Sequence, residues 1–240
     1  MSRLTPVLSE TDLPLAELCA ARLDGEVFGV DECFCPVDQA AGAAHRGAAL
    51  ATAAPERLIA EQRSAAWVWG ALDAPPAPHQ FCSSTASRVR PAASKRLAVR
   101  EVVIDEASVV SVGGMLVTTI LRTIVDLARF SHRFGPREQS MVLRLIEAGG
   151  LDVAACVHDI NSRRNLPNKR RAIERIGSAV ARAVDVIDGV DAAHGIEHPV
   201  EVGGVAHLEH KLAQRKAVAG GRNGRRENID VVLAQNPRHV

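Results

Sequence analysis

Two groups of residues in this 240-residue chain have types and spacings that catalysis or metal binding would require. Glu209, His210 and Lys211 spell Glu-x-Lys. With an aspartate such as Asp188 or Asp191 on a neighbouring strand, that pair holds a divalent ion and positions a hydrolytic water in restriction-endonuclease-like nucleases. The tripeptide is common by chance and its surroundings do not read as strands, so a nuclease using Glu209 and Lys211 is the alternative reading and not the main one. His194, His198, His207 and His210 have spacings that share a helical face, but Gly195, Pro199, Gly203 and Gly204 interrupt any such helix. Cys33 and Cys35 alternate along an expected strand, and a structural zinc site needs about four ligands where this region offers two. No G-x-S-x-G elbow and no glycine loop able to cradle phosphates is present. The expectation is a protein with no catalytic residue, no metal site and no cofactor.

A third kind of chemistry, attraction of a polyanion, is better represented. The whole chain carries 29 Lys and Arg against 28 Asp and Glu, a net charge of +1, so any pull on nucleic acid must come from local clusters. Arg88, Arg90, Lys95, Arg96 and Arg100 form one, Arg163, Arg164, Lys169, Arg170, Arg171 and Arg175 a second, and Arg222, Arg225 and Arg226 a third. Many such runs are only solvated faces. Arg22, Lys95, Arg96 and Arg100 are the first candidates for DNA contact, with Arg163, Arg164, Lys169, Arg170 and Arg171 as the second set. Phosphate contacts of this type would give salt-dependent affinity but no sequence choice.

These side chains need elements to hold them. Leu15, Leu18, Cys19, Arg22 and Leu23 predict a short helix that stops at Asp24-Gly25. Residues 26–30 and 33–37 predict a hairpin about Asp31-Glu32. Helix then ribbon is how a winged helix ends, although an acidic tip is a poor phosphate contact. Residues 46–54 and 55–72 read as two helices, the second opening with Pro55, and the proline-rich segment 73–78 breaks the chain. Strands are expected at 80–83, 97–104, Val109–Val112 and 115–117, the last two joined by Gly113-Gly114. In residues 117–129, Ile120, Leu121, Ile124, Val125 and Ala128 recur as a buried stripe, while Arg122, Asp126 and Arg129 take the other side. Thr118 or Thr119 can cap that helix, and Arg122 with Asp126 has the four-residue spacing of an intrahelical ion pair, which usually contributes about tenths of a kcal/mol. Further helices are predicted at Pro136–Ala148, 151–160 and 167–183. All seven aromatic residues precede position 135.

The run ending in GG, then VTT, then R-T-I-V-D-L-A resembles the C-terminal part of AbiEi-type antitoxins of type IV toxin-antitoxin systems, actinobacterial members above all. Residues 12–38, 56–72 and 166–176 agree in order, so the resemblance covers about residues 12–177. It implies a winged-helix DNA-binding N-terminal domain and a C-terminal domain that counters the toxin. It also implies repression of the protein's own promoter, and a partner toxin resembling nucleotidyltransferases, opposed directly or indirectly. The expected fold is α+β and mainly helical. It comprises a winged-helix-like N-terminal module at 1–73, an AbiEi-like C-terminal domain at 79–183 built on a small antiparallel sheet packed on helices, and a tail at 184–240 that departs from the family pattern. A non-DNA-binding interaction protein is the other alternative. Five cysteines at irregular spacing, no long apolar run and no signal-like start predict a reduced, cytoplasmic protein that makes no membrane contact.

Overall fold

The computed structural model describes residues 7–89 and 94–193, with 183–193 as backbone alone. Near the start of the described residues Leu8 bridges antiparallel to Phe34, which closes a unit of helix α1 (Leu15–Leu23) and hairpin β1 (Val27–Val30) to β2 (Cys33–Pro36). Helix and hairpin fall where the sequence predicts. Asp31 makes the tight turn at φ 58, in the left-handed region that Asp tolerates better than most residues. The unit's own core is only Leu18, Val27 and Phe34, with Leu8 and Ala21 beside them.

Helix α2 (Ala43–Ala53) follows, then β3 (Ile59–Ala60), α3 (Gln62–Val68), β4 (His79–Ser84), β5 (Leu97–Val102), a 3-10 turn (Glu106–Ser108), β6 (Val109–Val112) and β7 (Met115–Thr118). Helices α4 (Ile120–Phe130), α5 (Pro136–Ala148), α6 (Val153–Ser162) and α7 (Lys169–Ala193) complete the described part. The fold is α+β. Two expectations are corrected. Residues 55–72 are not one helix: Arg57 has φ 70, outside the right-handed helical region, the two residues between Leu58 and Glu61 form a strand, and α3 starts only at Gln62, itself at φ 47. The sheet is not small and antiparallel but mixed and five-stranded, in the order β5-β4-β3-β7-β6, with β3 parallel to β7 and β4 parallel to β5. Parallel neighbours need crossover connections, so a reading built from adjacent hairpins cannot find them. β3 precedes the 73–78 segment and pairs with β4 and β7 beyond it, so one sheet spans the prolines.

One core lies where α2 and α3 cover the sheet, built on Leu50, Leu58, Trp67, Val68, Phe81, Met115 and Val117. A second is helical, with Ile124, Val125 and Leu127 of α4 meeting Met141, Val142, Leu145, Cys156, Ile160, Ala172 and Ile176. Glycine decides one contact. A Cβ on Gly47 would stand 2.1 Å from the carbonyl oxygen of Val112, and one on Gly113 (φ +59) would stand 2.0 Å from that of Ala44, so α2 rests on the β6–β7 turn only because neither has a side chain. Among the described residues, no helix is long and apolar enough to cross a membrane.

Candidate nucleic-acid interface

The α6–α7 turn concentrates positive charge by its local construction. Asp152 caps α6 by accepting from the Ala155 amide at 2.6 Å. The chain then turns through Asn165 and Asn168, both with positive φ, into Lys169. Arg129 of α4 pins the turn from beneath, its Nε donating to the Pro167 carbonyl at 2.9 Å. From Arg163 to Arg182 there are seven basic residues and one acid, Glu174, so neutralisation from within the segment is impossible. α7 has no acidic residue in its first turn. Lys169, Arg170 and Arg171 thus lie at the positive end of the helix dipole, where each cation costs a few tenths of a kcal/mol and an incoming anion would relieve it.

Within the second predicted set the structure divides the labour. Arg163 grips Asp159 through Nε and Nη2, both at 3.0 Å, and reaches Asp105 at 3.2 Å. Hydrogen bonding to Asp159 raises its pKa, while the Ser108 hydroxyl, and then the Arg163 charge, hold the Asp105 carboxyl below its usual range. Lys169 Nζ donates to the Asn161 carbonyl at 3.1 Å. Arg164, Arg170 and Arg171 are exposed and have no ion-pair partner among the described residues. Arg175 was outside the predicted site but belongs to its floor. It donates to the carbonyls of Ala128 and Ser131, both at 3.0 Å, and lies 5.0 Å over the Phe134 ring. Burial and then the nearby Arg171 charge lower its pKa.

The first predicted set is dispersed. Arg22 is exposed on α1, with its guanidinium over Gly29, and Lys95 is exposed in the turn before β5. Arg96 pairs with Glu32. Arg100 is committed to the interior: its guanidinium holds Glu61 in a two-point grip, with Nη2 2.6 Å from Oε2, and stands 3.6 Å from Asp126. Burial alone would depress Arg100, but the hydrogen bonds and charge of Glu61, with Asp126 behind, outweigh it and raise its pKa. The structure thus places Arg100 in an ion pair with Glu61 and not as a free surface cation.

Asp126 is the centre of that interior cluster. Only 1% exposed, it takes Arg122 Nε on Oδ2 at 2.8 Å and Arg129 Nη1 on Oδ1 at 3.0 Å. The expected intrahelical pair of Arg122 with Asp126 is therefore a buried one, so removing one partner would cost about several kcal/mol and not the tenths of an exposed pair. Arg100 and Arg129 both lie over the ring of Phe130, their guanidinium carbons 4.3 and 4.4 Å from its centre. With the oxygens of Glu61 and Asp126 all taken by guanidinium groups, neither carboxylate is placed to serve as a general base or to hold a metal. The cluster locks β5, α3 and α4 together.

The ribbon tip does not project as a wing would. Asp31 Oδ2 faces His79 Nε2 at 3.1 Å, with both side chains nearly buried, so the tip leans on the start of β4. Beside it a cleft of about 350 Å³ is lined by Glu32, Thr52, His79, Ser94, Arg96 and Leu97. Cys33 is buried and shares a hydrogen bond with Thr52 at 3.2 Å, and Cys35 is buried as well. Burial raises both thiol pKa values, and no cluster able to hold a metal exists among the described residues. Asp188 and Asp191 lie on the backbone of α7, whereas His194, His198, His207, Glu209, His210, Lys211 and the third basic cluster fall outside the described residues. Comparison with protein-family models and with curated proteins finds no match to this chain.

Proposed function

We propose that this protein is a non-catalytic nucleic-acid-binding protein that meets phosphates through Arg164, Lys169, Arg170 and Arg171 at the α6–α7 turn, with Arg22 and Lys95 as outlying contacts. The observation that carries the reading is the group of exposed arginines, Arg164 in the α6–α7 turn with Arg170 and Arg171 in the first turn of α7, that have no carboxylate partner among the described residues. At the finer level, we propose that the protein is an AbiEi-like antitoxin and autorepressor. It would bind promoter DNA of its own operon and oppose a toxin that resembles nucleotidyltransferases. That level rests on the sequence resemblance over residues 12–177, and so does the winged-helix reading of the N-terminal unit. The α1–β1–β2 arrangement supplies a helix and ribbon for it, while the docked, acidic tip argues against a phosphate contact there.

The test is a mobility-shift titration of the full chain on duplex DNA from upstream of its own reading frame, at low and moderate salt, without divalent metal. The expected result is an intact, shifted duplex whose affinity falls steeply with salt. Cleavage that needs added magnesium or manganese and disappears in Lys211→Ala would replace this reading with the nuclease. Neither shift nor cleavage would leave an interaction protein.

A further inference from the structure

Helix α1 is apolar on two sides. Leu18 is fully buried and Ala21 partly so, which accounts for the inward side. At 100° per residue, Leu15, Ala16, Cys19, Ala20 and Leu23 form one continuous band on the outward side, and every one of them is exposed. Leu23 is 89% exposed and Leu15 49%, and Leu13 and Val37 flank them at 40% and 57%. Four of the seven large exposed hydrophobic residues of the described chain therefore sit on this small N-terminal unit. An exposed apolar band of this kind on a helix whose other side is already packed marks a surface that a partner covers.

The rim of the band states what would cover it. Glu10, Asp12, Glu17, Asp24, Glu26, Asp31, Glu32 and Asp38 lie between residues 4 and 44, where Arg22 is the one Lys or Arg. Asp31 and Glu32 are engaged with His79 and Arg96, and Asp12 accepts from Ser9. Glu10, Glu17, Asp24, Glu26 and Asp38 are exposed and have no ion-pair partner among the described residues. A polyanion would be repelled. A second copy would set acid against acid around the same band.

We propose that the outward face of α1 is a docking site for a cationic amphipathic segment of a partner protein. Its apolar residues would lie along Leu15, Cys19 and Leu23, and its Lys or Arg side chains would reach Glu17, Asp24 and Glu26. The nine residues of α1 span about 13 Å, enough to seat roughly three anchors of a partner helix at i, i+3 or i+4, and i+7. This site does not rest on the main phosphate contacts at the α6–α7 turn, since it lies on a different element and takes the opposite charge; of the proposed phosphate contacts only the outlying Arg22 shares α1.

The experiment uses the full chain and a fluorescein-labelled synthetic helix of about 15 residues with leucines at that spacing and lysines beside them. Two controls accompany it, a scrambled sequence and a version with glutamate in place of lysine. Binding is followed by anisotropy and by the rate at which a maleimide modifies Cys19, the only exposed cysteine. The lysine peptide should bind, slow Cys19 modification about tenfold, and lose about tenfold or more in affinity for Leu15→Ser/Leu23→Ser. The glutamate and scrambled peptides should not bind. Equal affinity for the double variant, unchanged Cys19 reactivity in the wild-type chain, or equal binding of all three peptides would overturn the proposal. So would sedimentation showing a dimer that Leu15→Ser/Leu23→Ser dissociates. Should the double variant misfold, Cys19 protection in the wild type still decides.

Discussion

Arginine does two different jobs in two regions of this protein. In the cluster around Asp126 and Glu61, Arg100, Arg122 and Arg129 are drawn inward, each matched to a carboxylate, and two of them lie over the ring of Phe130. At the α6–α7 turn, Arg164, Arg170 and Arg171 face outward and lack such partners among the described residues. The difference is set by the supply of carboxylates and not by the arginines. A guanidinium that meets a buried acid becomes a structural clamp, and one held at a helix N-terminus among other cations remains available to an external anion.

The largest effect should come from breaking the inner region at its centre. Asp126→Ala leaves the buried guanidinium groups of Arg122 and Arg129 uncompensated, and denaturant unfolding should show a loss of about 3–5 kcal/mol. Rising pH probes the same interior more gently. Burial, then the charge of Asp152 and Asp159, pushes the Cys156 thiol up from 9.0 to about 11, so its neutral form is favoured when folded. Because the folded pKa lies above the unfolded one, this contribution is whole below pH 9 and is lost as the pH climbs through 11. The loss is bounded by about 2–3 kcal/mol for a shift of that size. No tyrosine is present to titrate in that window, and guanidinium groups stay charged throughout it. Cys156→Ala should lower stability at pH 8 and flatten the decline. Buried Cys82 shifts the same way, so part of the slope should persist. Glu61→Gln, which keeps the shape but removes the charge facing the partly exposed Arg100, should cost about 1–2 kcal/mol in the same unfolding assay. Replacing Arg164, Arg170 and Arg171 together by alanine should change stability by no more than about 0.5 kcal/mol, since no ion pair is broken. A large loss there would erase the distinction between the regions.

Much of the local structure was legible in the sequence. Periodicity and punctuation located α1, its glycine stop, the first hairpin, the Gly113-Gly114 turn and α5 between Pro136 and Ala148. The Thr119 cap was likewise visible, its hydroxyl accepting from the Arg122 amide. What stayed hidden was long-range. Ile59 and Ala60 are too few to show a strand period, and their neighbours Leu58 and Trp69 fit a helical stripe, so the central strand of the sheet was read as helix. Arg100 and Glu61 are 39 residues apart, and no local pattern announces that they meet. Arg122 and Asp126 were correctly paired by spacing, but a four-residue interval cannot tell a buried pair from a solvated one. In the basic 163–171 segment, spacing showed the charge and structure showed which members are engaged.

The central claim, that the outward arginines serve an external polyanion, is tested most directly by the salt dependence of duplex binding, measured by anisotropy for the wild type and for the Arg164, Arg170 and Arg171 triple alanine variant. The account predicts that the wild-type chain binds and that the slope of log affinity against log salt becomes shallower by about 2–3 in the variant, near 0.9 for each phosphate contact removed. Identical slopes and affinities for the two proteins, or no binding by the wild type at low salt, would contradict it.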